Sequence, residues 1–305
     1  MQLGFVTALF GDLSLDEVFA FAADEGFACV ELMCWPPGKA DRRYAGVTHV
    51  DVTRLDEQAD HVRELVKRSG VSISGLGYYP NPLDPEEAHR RVVIEHLKRV
   101  ITAAARLGVG VVNTFIGRDL TKSVEDNWPL FRAVWPDVVR HAEVSGVRIG
   151  LENCPMLFTR DEWPGGKNLA ISPAVWRTIF QEIPSGYLGL NLDPSHLVWL
   201  HIDEARCVRE FGPRIVHVHA KDTRIDRANA SVNSLIDTTP NERLLDRAWS
   251  YVTLGYGHDL LWWREFCSIL RLVGYDDVLS IEHEDQALPP LEGVRRSVDL
   301  LRDVI

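Results

Sequence analysis

SGVRIGLEN (residues 145–153) and SGYLGLNLD (residues 185–193) are two copies of one phrase: a glycine, a short apolar run, then a polar or acidic residue. The phrase recurs in EGFACVELM (25–33), SGVSISGLG (69–77), LGVGVVNTF (107–115), FGPRIVHVHAKD (211–222) and VGYDDVLSIEHE (273–284). With the opening run LGFVT (3–7), eight strands are read. Gly26, Gly70, Gly108, Gly146, Gly186, Gly212 and Gly274 follow helical stretches, where glycine closes a helix without a Cβ penalty. The runs are short and rich in Val, Ile and Leu, as parallel strands covered on both faces require. Alternating strands and helices call for a parallel sheet with crossover helices. Eight units predict a closed (β/α)₈ TIM barrel of the α/β class, a single domain over residues 1–305. Gly-x-Gly-x-x-Gly after a strand is absent, which argues against a dinucleotide-binding sheet.

Between the runs the period changes to that of helices. Ser14 and Glu17 form a capping box, behind which Leu15, Val18, Phe19, Ala22 and Ala23 share one face. Val93, Leu97, Val100, Ala104 and Leu107 repeat the pattern before strand four. Leu291, Val294, Val298 and Leu301 do so at the C-terminus. The spacing breaks once: Gly212 to Gly274 is far longer than Gly70 to Gly108. The surplus, residues 223–257, is an insertion after strand seven, on the face where barrels keep their active sites. A lid or a subunit contact is expected there.

The net charge of −11 argues against nucleic acid as partner, because phosphate backbones need basic patches. Five cysteines, with no C-x-x-C pair, suggest neither a disulfide framework nor a zinc ribbon. The opening MQLGFVTALFGDLS lacks a basic stretch before its apolar run, and no run approaches the ~20 residues of a membrane span. A cytoplasmic location without membrane contact is expected.

Catalytic groups of a barrel gather at the C-terminal ends of its strands. Strand five ends in Glu152, six in Asp193, seven in His219 and eight in Glu282. Neighbouring strands lie ~4.8 Å apart, so four inward side chains can converge. Three carboxylates so placed repel one another unless a divalent cation joins them. Oxygen and imidazole donors suit Mn²⁺ first, with Mg²⁺, Co²⁺ or Zn²⁺ as alternatives. Trp35 and Tyr79, on the loops after strands two and three, are candidates to line the substrate pocket. Tyr78 lies beside Tyr79. Arg224, at the start of the insertion, is a candidate for an acidic group or the lid. Glu31, Asn113 and His217 lie near strand ends and read as supporting or structural residues. Trp262 and Trp263 read as helix packing.

GLEN (150–153), NLDPSH (191–196), VHVHAKD (216–222) and LSIEHED (279–285) resemble the sugar phosphate isomerase/epimerase family of xylose isomerase-like barrels. The resemblance implies that Glu152, Asp193, His219 and Glu282 are the metal ligands and that His196 and Lys221 face the substrate. It further implies that Glu152 and Glu282 double as the acid–base pair of an isomerase or epimerase. The expected substrate is a small sugar or keto-sugar, and the chain is expected to form a homo-oligomer. Ketose epimerases of the family carry a glutamate where this chain has Phe158, which leaves open a lyase or dehydratase acting on a keto-sugar, keto-glycoside or inosose. An AP-endonuclease-like hydrolase would need histidines where Tyr78, Tyr79 and Asn113 stand. A non-catalytic sugar-binding barrel is the remaining reading.

Overall fold

The eight phrases form eight parallel strands closed into a barrel. These are β1 (Gln2–Val6), β2 (Cys29–Met33), β3 (Ser72–Gly77), β4 (Val111–Thr114), β5 (Arg148–Glu152), β6 (Leu188–Leu192), β7 (Ile215–Ala220) and, after the insertion, β10 (Val278–Ile281). The computed structural model describes residues 1–38, 44–156, 166–237 and 239–305. The outer ring contains α1 (Leu15–Asp24), α2 (Leu55–Ser69), α3 (Glu87–Leu107), α4 (Val124–Ser145) and α5 (Pro173–Glu182). It continues with α6 (Pro194–Trp199), α7 (Glu204–Phe211), α9 (Leu260–Leu272) and α10 (Pro290–Arg302). No helix among the described residues is long and apolar enough to cross a membrane.

The Ser14–Glu17 capping box is present, with both reciprocal bonds. Gly70, Gly108 and Gly146 close α2, α3 and α4 in the left-handed conformation. Gly212 does not serve that role. Its φ is −44°, and a Cβ there would lie 2.5 Å from Val273 Cβ, so close packing rather than chain reversal requires glycine. Gly186 is likewise not among the positive-φ glycines. Two helix-face expectations fail: Ala23 is exposed, and Leu291 is 41% exposed. Each lies at the edge of its helix's apolar stripe, turned from the barrel. Trp263 is fully buried in α9, while Trp262 is half-buried and donates its indole N–H to Glu204.

The insertion is an antiparallel hairpin, β8 (Asp222–Ile225) with β9 (Trp249–Val252), carrying α8 (Arg227–Asn233) in its connection. One carboxylate pins its base. Asp222 Oδ2 accepts backbone N–H bonds from Gly255, Gly257 and His258 at 3.0–3.1 Å, and Oδ1 pairs with His258 Nδ1 at 2.7 Å. Thr253 ties the far strand to the segment after β10 through Asp285 Oδ2 at 2.9 Å.

Candidate metal centre

Barrel order places β5, β6, β7 and β10 side by side, and their C-terminal ends carry Glu152, Asp193, His219 and Glu282. One donor atom from each lies within 4.8 Å of the others. Asp193 stands just past β6 as the N-cap of α6, where its Oδ1 accepts the Ser195 N–H at 2.8 Å. That bond leaves Oδ2 aimed inward. Asn153 brackets the same turn: it donates to the Asp193 carbonyl at 2.9 Å and accepts the Asp193 N–H at 2.7 Å.

Three buried atoms, Asp193 Oδ2, His219 Nδ1 and Glu282 Oε2, make no hydrogen bond among the described residues. Buried polar atoms are ordinarily paired. His219 Nδ1 and Glu282 Oε2 are only 2.9 Å apart, and both face the same point. His219 Nε2 lies 2.9 Å from Glu31 Oε2, and a proton on Nε2 turns Nδ1 toward the carboxylates, where a neutral imidazole would present its lone pair to a cation. The Tyr79 hydroxyl donates to the other Glu31 oxygen. Two carboxylates and an imidazole with such atoms, beside Glu152, form a group whose donors suit a divalent cation that takes mostly oxygen ligands.

The electrostatics ask for the same charge. Burial opposes a charge on His219, yet Glu31, Glu282 and Glu152 hold its pKa well above the ordinary value. Burial raises Glu152, but the imidazoles of His196 and His219 outweigh it and hold that carboxyl well below the usual range. Lys221 is buried between Glu282 Oε1 (3.2 Å) and Glu284 Oε1 (3.3 Å), and these acids hold it cationic against burial.

His196 is fully buried on α6, its Nε2 3.3 Å from Glu152 Oε1 and 3.1 Å from Asp193 Oδ2. The hairpin supplies its other partner: Tyr251 Oη lies 3.0 Å from His196 Nδ1, and Lys221 Nζ lies 4.2 Å over the Tyr251 ring. A cavity of about 270 Å³ opens above the donors. Trp35 and Tyr79 line it, as do Lys221, Tyr251, Arg247 and Glu284.

Other expectations land elsewhere. Arg224 is exposed and borders a second cavity on the outer side of the hairpin, because the alternation of β8 turns it away from the barrel. Glu31 sits in the middle of β2 rather than at its end, since β2 runs on to Met33. Asn113 fills the space beside Gly75 and Gly150 inside the barrel. His217 lies one layer deeper, bonded to Asn191 Oδ1 at 3.0 Å, and burial lowers its pKa to about 4. Tyr78 packs edge-on between Trp35 and His96. Phe158 lies outside the described residues. Tyr251 and Glu284 were not singled out from sequence. Tyr251 belongs to a strand outside the repeat, and Glu284 lies two residues past the strand end that was read.

The family model of xylose isomerase-like TIM barrels matches residues 19–304. The chain belongs to this family. It is 31% identical to the uncharacterized protein YfiH of Bacillus subtilis (strain 168) over 337 aligned positions, which cover 100% of this chain and 99% of YfiH. Its fold is similar to a D-tagatose 3-epimerase-like protein, with a TM-score of 0.69, 22% identity and coverage of 100% and 98% of the two chains. It is similar also to the IolI protein with a bound zinc atom, with a TM-score of 0.70, 18% identity and the same coverage. At these identities the two structures establish the barrel alone. Solved members of the fold are largely named as sugar-modifying enzymes.

Proposed function

We propose that this family member is a divalent-metal-dependent isomerase or epimerase that acts on a sugar or keto-sugar by abstracting a proton next to a carbonyl. The supporting observation is the arc of donors. Glu152 and Glu282 occupy its two ends, on β5 and after β10, with Asp193 and His219 between them. These four residues would hold the ion, Mn²⁺ first, which when bound acts as a Lewis acid toward the carbonyl. One terminal glutamate takes the proton from carbon and the other returns it from a different side. Lys221 offers its ammonium to oxygen that becomes negative. His196 orients Glu152 through Nε2, with Asp193 Oδ2 3.1 Å away. Of the two roles expected for residues 223–257, this reading takes the roof of the pocket, because Asn241 to Tyr251 contribute to its lining.

The test is solvent deuterium uptake into a panel of ketoses and keto-sugars, after dialysis against EDTA and again after restoring Mn²⁺. Uptake is expected only with metal. Glu152→Gln and Glu282→Gln should each slow it by about 10²–10⁴-fold while calorimetry still detects weakened Mn²⁺ binding. Metal-independent uptake, or none across the panel, would overturn the reading.

A further inference from the structure

We infer that the sugar taken by this site is neutral and carries an apolar substituent, not a phosphate; the inference rests on the function proposed above. The cavity has two unlike halves. The ends of β1 to β5 present Val6, Met33, Trp35, Tyr79, Phe115 and Cys154. Five of these, with Met156, form a hydrophobic cluster separate from the main core, and Trp35 packs against it. Tyr79 and Phe115 meet at 5.1 Å between ring centroids. A ring bearing hydroxyls on all sides, pressed against such a wall, loses water without gaining hydrogen-bond partners. An alkyl or aryl group gains contact area there.

The opposite half is acidic and suits a neutral polar ring. Four glutamates line it: Glu152 and Glu282, which would hold the ion, and Glu242 and Glu284 beyond them. The Lys and Arg side chains that line it among the described residues, Lys221 and Arg247, are engaged. Lys221 is matched by Glu282 and Glu284 and lies over Tyr251. Arg247 is buried, donates to the carbonyls of Trp249 and Thr239, and stacks 4.8 Å over the Trp249 ring. Phosphate recognition needs charge-assisted donors, and here a phosphate would meet acids instead. Sugar hydroxyls suit the same surface, since they donate to carboxylates and need no countercharge. A neutral glycoside placed with its hydroxylated ring over the donor arc and its aglycone on the β1–β5 wall satisfies both halves.

The experiment is calorimetric binding to the Mn²⁺-loaded protein of a matched set: the parent sugars, methyl glycosides, phenyl glycosides and 6-phosphates of D-glucose, D-galactose and D-mannose. Phenyl glycosides should bind about tenfold more tightly than methyl glycosides in at least one series, and every 6-phosphate more weakly than its parent sugar. Phe115→Ala should bring the phenyl-to-methyl ratio toward one, and Phe115→Leu should keep part of it. A phosphate that outbinds its parent sugar would overturn the inference. So would a set in which phenyl confers no gain, binding of none of the compounds included. Deuterium uptake, followed separately on keto-sugars, tells the two claims apart. The expected binding order without metal-dependent uptake defeats the isomerase or epimerase reading alone, and uptake with a reversed order defeats the substrate class alone.

Discussion

Tyr251 shows how one hydroxyl controls the state of a histidine. His196 faces two carboxylates through Nε2, so a proton there is favourable, and in the neutral ring Nδ1 is then the acceptor. Tyr251 supplies the donor at 3.0 Å, and burial raises its own pKa, so it remains protonated. Glu31 plays the converse part for His219: its carboxylate accepts from a protonated Nε2 and so turns Nδ1 toward the donor arc. Tyr251→Phe keeps the ring over Lys221 but removes the bond to His196. Mn²⁺ affinity should fall by about tenfold or more, read by calorimetry. Unchanged affinity together with an unchanged His196 tautomer, seen by nitrogen NMR, would remove this role from the hydroxyl.

At the scale of the element, the β8–β9 hairpin is joined to the barrel by polar ties and by a small apolar cluster in which Trp249 stacks 4.4 Å from Trp199 of α6. Its helix α8 has no buried residue. Asp222 is the centre of the polar attachment, with four backbone N–H groups and one imidazole converging on its carboxylate. Asp222→Ala leaves those donors without an acceptor. It should cost about 3 kcal/mol and open the connection to proteolysis. The urea midpoint and the cleavage rate within residues 226–248 measure both effects, and wild-type values for the two would contradict the latch. Loosening should also weaken sugar binding, because Tyr251 and Ser250 line the cavity from this hairpin.

For the molecule as a whole, buried histidines far from the donor arc link stability to pH. His49 and His96 are buried with Nε2 against the carbonyls of Leu13 and Cys34, and burial lowers the pKa of both. The unfolded chain takes up these protons first, near pH 6.5. Stability is thus fully present above that pH and declines as pH falls toward the depressed folded values. Urea midpoints at pH 7.5 and 5.5 should show the decline, and His96→Gln should flatten it. An equal slope in the variant would assign the decline to other groups. The buried thiols follow the same rule: burial pushes Cys29, Cys207 and Cys267 up to about 12. In the native protein they should react with a thiol reagent at pH 8 far more slowly than in urea.

The barrel was legible because its signal is local and repeated. Each strand carries its own apolar run, and each strand end its own polar residue, so strand order alone brings Glu152, Asp193, His219 and Glu282 together. Residues whose roles depend on where an irregular segment folds back were not legible in that way. Tyr251 reaches His196 only because the insertion turns over the barrel mouth, and Arg224 leaves the site because β8 alternates outward. The apolar wall of Val6, Met33, Phe115 and Cys154 draws one residue or two from each of several distant strands, and no window of sequence contains it. The sequence by itself determined the repeat, the barrel and the four donors, since periodicity and chain order suffice for those. Only the tertiary structure decided which lone pairs are left free, which cations are already engaged and which half of the pocket is apolar, because each is a property of groups brought together across the fold.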